Sequence, residues 1–523
     1  MNTSPSAHTS PASTSPASTS LSAARRAREL DELPGRVVDV LVVGLGVTGA
    51  GVALDAASRG LSVAAIDAHD LAFGTSRWSS KLVHGGLRYL ASGHVDVAYE
   101  SAVERGILME RTAPHLVRAM PFVLPLTPMV GRAQAAVSRA GLHAGDALRL
   151  AAGTPRAALP RPRRLSAAET SHLAPPLRPH GLRGGLLSWD GRLADDARLV
   201  TAIARTAAGL GASILTRCRA LALGGDGAQV RDELSGREFT VRARAVVNAT
   251  GVWAGGLVDG VRLRPSRGTH LVLRAEALPG LTAGLHLPVP GERNRFVLVV
   301  PQEDGRVYVG LTDEPVDGPV PDVPEPTEAD IGFLLDILGS ALDVPLARGQ
   351  VAGAFAGLRP LLDDGRGSTA DISRRHAVLT SRDGVVTVVG GKLTTYRRMA
   401  EDAVDAAVAS APRLAAGPSR TARLPLVGAA PPARLAALDA PRRLVRRYGA
   451  EAPLVAAQAR EDASLLEPVL PGLPVLRAEL AWAVRHEGAL DVGDLLDRRT
   501  RIGLVPADRA AALPAAEALL PVP

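Results

Sequence analysis

An α/β fold built on a dinucleotide-binding βαβ unit, with a β-rich domain inserted into it and a helical domain after it, is what this sequence predicts. Three observations carry the prediction. Val38-Asp39-Val40-Leu41-Val42-Val43 is a short apolar run of buried-strand character. Gly44-Leu45-Gly46-Val47-Thr48-Gly49 follows at once, and Asp67 ends the next apolar run 18 residues after Gly49. Two further glycine strings, Asn248-Ala249-Thr250-Gly251 and Gly390-Gly391-Lys392, each follow an apolar strand far downstream.

The elements read in order as follows. The chain opens on Ser, Thr, Pro and Ala, with neither the basic start nor the apolar stretch of a secretory signal, and 1–35 read as a disordered tail. Residues 50–58 are Ala- and Gly-rich, a helix that packs closely on the sheet, and 61–67 are the second strand. Helices are expected across 100–190, interrupted by a Pro/Arg-rich stretch at 155–164. Asp195-Asp196-Ala197-Arg198-Leu199 opens another helix, and 214–223, 241–247, 271–273, 296–300 and 307–311 have strand length and patterning. A last buried strand at 385–389 leads through Gly390-Gly391 into a helix reaching Ala407. From about Ala415 the pattern is helical with proline breaks. The expected nucleotide domain is therefore discontinuous (36–110, 191–255 and 350–412). The second domain takes 111–190 and 256–349, and the helical domain 413–523.

Composition narrows the function classes. No apolar run reaches the ~18 residues that span a bilayer. The single cysteine, Cys218, excludes an intramolecular disulfide and reads as a small core residue. The net charge of +7 admits an anionic membrane surface as partner. No helix-turn-helix, RNP string or zinc spacing supports nucleic acid, and no metal-ligand cluster is expected.

The glycine string has the context a dinucleotide site requires. Gly44 permits the tight turn, Gly46 lets backbone approach a pyrophosphate, Gly49 lets helix and strand pack, and the helix N-terminus offers N–H donors. Asp67 is placed for the ribose hydroxyls. Several distant segments converging on one long cofactor favour FAD over NAD.

Lys81 and Lys392 are the two lysines among 60 basic residues. Each sits beside a Gly-Gly pair, in Ser79-Ser80-Lys81-Leu82-Val83-His84-Gly85-Gly86-Leu87-Arg88-Tyr89 and in Gly390-Gly391-Lys392-Leu393-Thr394-Thr395-Tyr396-Arg397. An ammonium does what a planar guanidinium cannot, so both are candidates for chemistry. These strings, with Gly74-Thr75-Ser76, Asp195 to Leu199, Asn248 to Trp253, Gly357-Leu358-Arg359-Pro360-Leu361 and Arg498-Arg499-Thr500, resemble the FAD-dependent, quinone-linked glycerol-3-phosphate dehydrogenase family from about Asp39 to Gly503. The resemblance implies a Rossmann-type FAD domain. It also implies oxidation of sn-glycerol 3-phosphate to dihydroxyacetone phosphate, with hydride passing from C2 to FAD and electrons to a membrane quinone.

It also implies roles. Arg359 and Arg374 would hold the phosphate, with Arg88 and Tyr89 lining the pocket and Lys392 binding an oxyanion. Arg359 reads alternatively as an ion pair with Asp363 or Asp364. His84 and His270 are the two candidates for the base, and each reads equally as a structural histidine. Thr75, Ser76, Ser79, Ser80 and Lys81 would face the cofactor, together with Gly251, Gly391, Leu393, Thr394 and Thr395. The string Gly310-Leu311-Thr312-Asp313 departs from the family's pattern, and no role is carried over to Trp189 or Asp190. The related oxidases, which use O2, carry an insert after Arg-Pro-Leu; here 14 residues separate Arg359 from Arg374 and leave no room for it. A nucleotide-binding protein without turnover is the remaining alternative. The family implies a cytoplasmic protein, peripheral on the inner face of the plasma membrane; a homodimer is left open.

Overall fold

The computed structural model describes residues 16–86, 89–90, 93–292, 295–363 and 375–521. Two sheets and a helical domain organise the chain. The first sheet has eight strands, with Val37–Val43 and Glu238–Asn248 at its centre. Val63–Ile66, Ser213–Leu215 and Val386–Gly390 continue it in parallel, and His376–Thr380 closes one edge antiparallel. The hairpin Cys218–Gly224 and Gly227–Asp232 hangs from the long central strand.

The βαβ unit forms where the sequence places it. Helix Val47–Ser58 is buried almost throughout, because helices Asp196–Gly209 and Tyr396–Ser410 pack beside it on the same face. Its small residues are a packing requirement. A Cβ on Gly49 would lie 1.8 Å from Gly44 O, and one on Gly51 would lie 2.9 Å from the Tyr396 ring. Cys218 is a core residue, and burial pushes its thiol up to about 12.

The second sheet has ten strands. Ser266–Arg274, Arg306–Gly310, Phe296–Pro301, Gly284–Pro288, Val117–Pro125 and Gly185–Leu193 are neighbours in that order, and Leu82–Val83 ends the row. Helix Glu328–Ala341 covers this sheet with Ile331, Leu334, Ile337 and Leu338. Two expectations need correction. Strands Val117–Pro125 and Gly185–Leu193 run through the stretch read as helical; each is sheet-buried on both faces and so lacks the alternation that marks a strand. Strand Val351–Arg359 pairs along Ser266–Arg274, so sheet membership puts it in the second domain and not in the nucleotide domain.

The N-terminal expectation is corrected as well. Ser22 caps helix Ala23–Glu32, and Arg25 reaches Ala208 O at 3.0 Å and Ala212 O at 3.2 Å. Leu21 pairs with the C-terminal domain through His486 O at 3.0 Å. The part of the tail at 16–35 is thus tied down by backbone acceptors that its composition does not reveal.

Buried ion pairs join the C-terminal domain to the nucleotide domain. Arg498 and Arg499 both hold Asp70, at 2.6 and 2.7 Å, and Arg198 reaches Glu487 at 2.8 Å. The matched string Arg498-Arg499-Thr500 is therefore an interdomain clamp on Asp70, which stands three residues beyond Asp67.

Candidate active site

One cleft of about 1640 Å³ runs between the two sheets. Its floor begins where strand Val37–Val43 ends. Gly44 has φ +99°, and a Cβ there would lie 2.6 Å from Ala249 O. Gly46 is the N-cap of helix Val47–Ser58 and supplies no side-chain cap, so beyond Val47 N, which Ser76 takes, the helix start is open toward the cleft. Asp67 accepts from Leu45 N at 2.7 Å and His69 N at 2.8 Å. Desolvation outweighs those bonds and raises its carboxyl to about 6.

Three more segments complete the floor. Residues 74–76, 249–253 and 390–394 all face the cleft. Gly251, Gly390 and Gly391 have φ of +61°, +76° and +74°, which L side chains rarely adopt. A Cβ on Gly391 would also meet Met399 Sδ at 2.5 Å. Ser76 Oγ accepts from Val47 N at 2.8 Å, Thr75 donates to Leu358 O at 2.6 Å, and Thr394 Oγ1 accepts from His84 N at 3.3 Å. A glycine cradle, an open helix start and four converging segments fit a long dinucleotide.

The other end of the cleft gathers the charged candidates. Lys392 follows the two left-handed glycines. Its Nζ donates to Ser101 Oγ at 2.8 Å and stands 3.6 Å from the centre of the Tyr89 ring. Arg359 ends strand Val351–Arg359; its guanidinium donates to Ser266 Oγ, Asp313 Oδ1 and Thr312 O, each at 3.0 Å. A carboxylate beside it is thus Asp313, which the sequence reading did not consider; Asp364 lies outside the described residues. His270 is buried; its Nε2 is 2.8 Å from Ser80 Oγ and its ring stacks on Phe355 at 4.8 Å. Burial, then the charges of Lys81 and Arg359, push its pKa down to about 3. His84 is half-buried in the cleft wall, with Nδ1 accepting from Gly86 N at 3.3 Å. Arg88 and Arg374 lie outside the described residues.

Three sequence expectations are corrected here. Lys81 does not line the cleft: its ammonium is buried and donates to Asp196 Oδ2 at 2.7 Å, Arg77 O at 2.9 Å and Ser79 O at 3.2 Å. Ser79 faces the cleft, but its hydroxyl donates to the same Asp196 oxygen at 2.8 Å. Thr395 is buried behind the turn, its hydroxyl directed to Lys392 O at 3.4 Å.

Sequence reasoning also missed residues. Asp190 lines the cleft, accepting from Arg105 at 2.7 Å and Gly85 N at 3.2 Å. A Cβ on Gly85 would strike that Arg105 at 2.4 Å, and Gly86 beside it has φ +72°. Ser101, the Lys392 partner, carries no local signal, because it lies 291 residues away. Asp313 did carry one, in the Gly310 to Asp313 string.

The comparisons with known proteins match this geometry. A family model described as FAD dependent oxidoreductase covers residues 39–397, and the C-terminal domain of alpha-glycerophosphate oxidase covers 419–520. Glycerol-3-phosphate dehydrogenase 1 of Mycobacterium tuberculosis is 56% identical over 498 residues, 94% of this chain and 96% of that one. This chain belongs to the FAD-dependent glycerol-3-phosphate dehydrogenase family. FAD is the family's cofactor, and the cradle described above fits it. Glycerol-3-phosphate dehydrogenase 2 of the same organism is 37% identical, covering 93% of this chain and 84% of that one. The structure of the glycerol-3-phosphate dehydrogenase from Bacillus halodurans complexed with FAD superimposes with a TM-score of 0.73 at 28% identity, covering 95% and 94% of the two chains. L-alpha-glycerophosphate oxidase from Mycoplasma pneumoniae shares the fold, with a TM-score of 0.56 at 19% identity over 75% of this chain and 99% of that one.

Proposed function

We propose that the chain oxidises sn-glycerol 3-phosphate to dihydroxyacetone phosphate and passes the electrons to a membrane quinone. The observation that carries this is the pair of cations, Lys392 and Arg359, in the wall of the cleft whose floor is the dinucleotide cradle. Bound FAD supplies the two-electron acceptor for the C2 hydrogen.

The chain's own residues supply the rest. Arg359 presents a fork that Asp313 and Thr312 hold in one orientation, suited to a phosphate dianion. Lys392 is a point charge seated on Tyr89 and tied to Ser101, so it meets an oxyanion without reorganising. The proton of the C2 hydroxyl passes to His84. His270 is the weaker acceptor, since burial and two cations hold its imidazole far below neutral pH. His270 and Ser80 form a polar wall that orients the glycerol hydroxyls. Arg88 and Arg374 complete the phosphate and pocket contacts in this reading.

Among the described residues no helix is long and apolar enough to cross a membrane. Attachment is peripheral, through helix Arg132–Ala151 and the following 154–164 segment. That helix overhangs the cleft with Gly141 and Leu142 and exposes Val137 and Leu150. The purified protein should be yellow. Glycerol 3-phosphate should bleach it under nitrogen, and a soluble quinone should restore the colour faster than dissolved O2. Recovery faster with O2 would assign the chain to the oxidase reading, and no bleaching would remove the activity.

A further inference from the structure

A second cationic centre lies where the second sheet meets the C-terminal domain. Arg118 on strand Val117–Pro125 stands directly opposite Arg192 on strand Gly185–Leu193. Both side chains therefore leave the same face of the sheet, and like charges in that position repel. Helix Arg442–Tyr448 brings Arg446 and Arg442 toward the same spot, one helical turn apart. Glu303 is the carboxylate between them; it pairs with Arg446 at 2.6 Å and with Arg192. Four arginines thus face one glutamate.

Arg118 is the group left over. It is half-buried, and among the described residues it makes no hydrogen bond and no ion pair. Burial, then the field of Arg446 and those of Arg192 and Arg442, lower its pKa against the pull of Glu303. Its nitrogens stay open to solvent, so an anion can reach them. None of these residues lines the cleft, so the centre is separate from the site already described.

We propose that this junction binds a small soluble phosphate dianion, either inorganic phosphate or a phosphate monoester, on Arg118, Arg192 and Arg446. The planar forks match phosphate oxygens, and a dianion offsets the surplus charge better than a carboxylate does. Glu303 braces two of the three donors. Because Arg446 belongs to one domain and Arg118 and Arg192 to the other, occupancy fastens the two together.

Calorimetric titration of the FAD-loaded protein with inorganic phosphate tests this. The parent should show a saturable site that survives Arg359→Ala, a change confined to the cleft. Arg118→Gln should weaken that site by roughly tenfold or more. It leaves no partner unpaired, so in phosphate-free buffer it should melt no lower than the parent, and it should lose the rise in melting temperature that phosphate gives the parent. Glu303→Gln removes the negative neighbour seen among the described residues and should tighten phosphate binding. A phosphate site indifferent to Arg118→Gln, or one that vanishes with Arg359→Ala alone, would overturn the proposal. So would Arg118-dependent binding to phosphatidylglycerol vesicles with no response to inorganic phosphate.

Discussion

Lys81 Nζ lies 2.7 Å from Asp196 Oδ2, and both groups are sealed from the cleft. Burial lowers the ammonium to about 8. Burial also opposes the Asp196 carboxylate, but the Lys81 and Arg501 charges hold it below its ordinary value. Two of the three acceptors around Nζ are the carbonyls of Arg77 and Ser79, four and two residues before Lys81 in the chain. The first of the two lysines thus braces the loop that presents Ser79 and Ser80.

Lys81→Met should therefore act on stability. Breaking a buried pair on one side costs about 3–5 kcal/mol. The melting temperature should fall well below the parent's, while the KM of whatever fraction holds FAD stays near the parent value. A stable variant with a raised KM would return Lys81 to the cleft. Replacing Asp196 as well, by Leu, should recover part of the lost stability.

Lys392 is the contrasting case. Lys392→Arg keeps the charge but not the fit on Tyr89 and Ser101. FAD binding should persist, and bleaching of the flavin band by glycerol 3-phosphate in stopped flow should slow at least roughly tenfold, about 1.4 kcal/mol in the barrier. Parent-like bleaching would leave the survival of lysine at this position without a chemical cause.

Arg359→Ala should lose about 1.5–3 kcal/mol of substrate binding, roughly 10- to 150-fold in affinity. FAD should remain bound, and the slow reaction with uncharged glycerol should barely change. Asp313→Asn keeps the Arg359 charge but slackens its anchor at 3.0 Å. It should raise KM in the same direction by less. An Asp313 effect on kcat alone would separate this carboxylate from phosphate binding.

His115 supplies a pH test away from the cleft. It is buried beside Gly428 and Gly449, and burial, then the charges of Arg118 and Arg198, push its pKa from 6.5 down to about 3. The unfolded chain takes up this proton as pH falls through 6.5, and the folded chain does not until about 3. The contribution of neutral His115 is thus complete above 6.5 and is lost on acidification, by up to about 1.4 kcal/mol per pH unit. Melting temperatures at pH 7, 6 and 5 should fall less steeply for His115→Gln than for the parent. Identical slopes would mean that the site accepts a proton in the folded state.

The nucleotide half of the molecule was legible in the sequence because its signals are local. The strand, the three glycines and Asp67 fall within 30 residues; Gly44 and Gly49 answer to backbone clashes and Gly46 to the Ser76 hydroxyl at 3.0 Å. The second domain was legible only in part. Strands 117–125 and 185–193 have no exposed position on either face, so neither shows a solvent-facing alternation. In the cleft, residue types were legible and pairings were not. Nothing near Arg359 in sequence points to Asp313, nothing near Lys392 points to Ser101, and in the Gly-Gly pair after Lys81, Gly85 answers to Arg105 and Gly86 to its left-handed φ.

The membrane proposal turns on a surface the fold leaves open. Helix Arg132–Ala151 buries only Arg149 among its residues. Met129, Val137 and Leu150 are exposed around it, and the Arg161 and Arg163 side chains are more than half exposed although they pair with Asp146 at 3.7 Å and Glu169 at 2.7 Å. Apolar side chains beside exposed arginines suit an anionic bilayer, where each arginine near the headgroups adds about 1 kcal/mol. Vesicles of phosphatidylglycerol should therefore sediment the protein, neutral phosphatidylcholine vesicles should do so poorly, and high salt should release it. Changing Arg156, Arg161, Arg163 and Arg164 to Gln should reduce binding strongly without lowering turnover of glycerol 3-phosphate with a soluble quinone. Equal sedimentation of parent and variant would take this segment off the docking face and leave the apolar helix to be tested by Val137→Ser with Leu150→Ser.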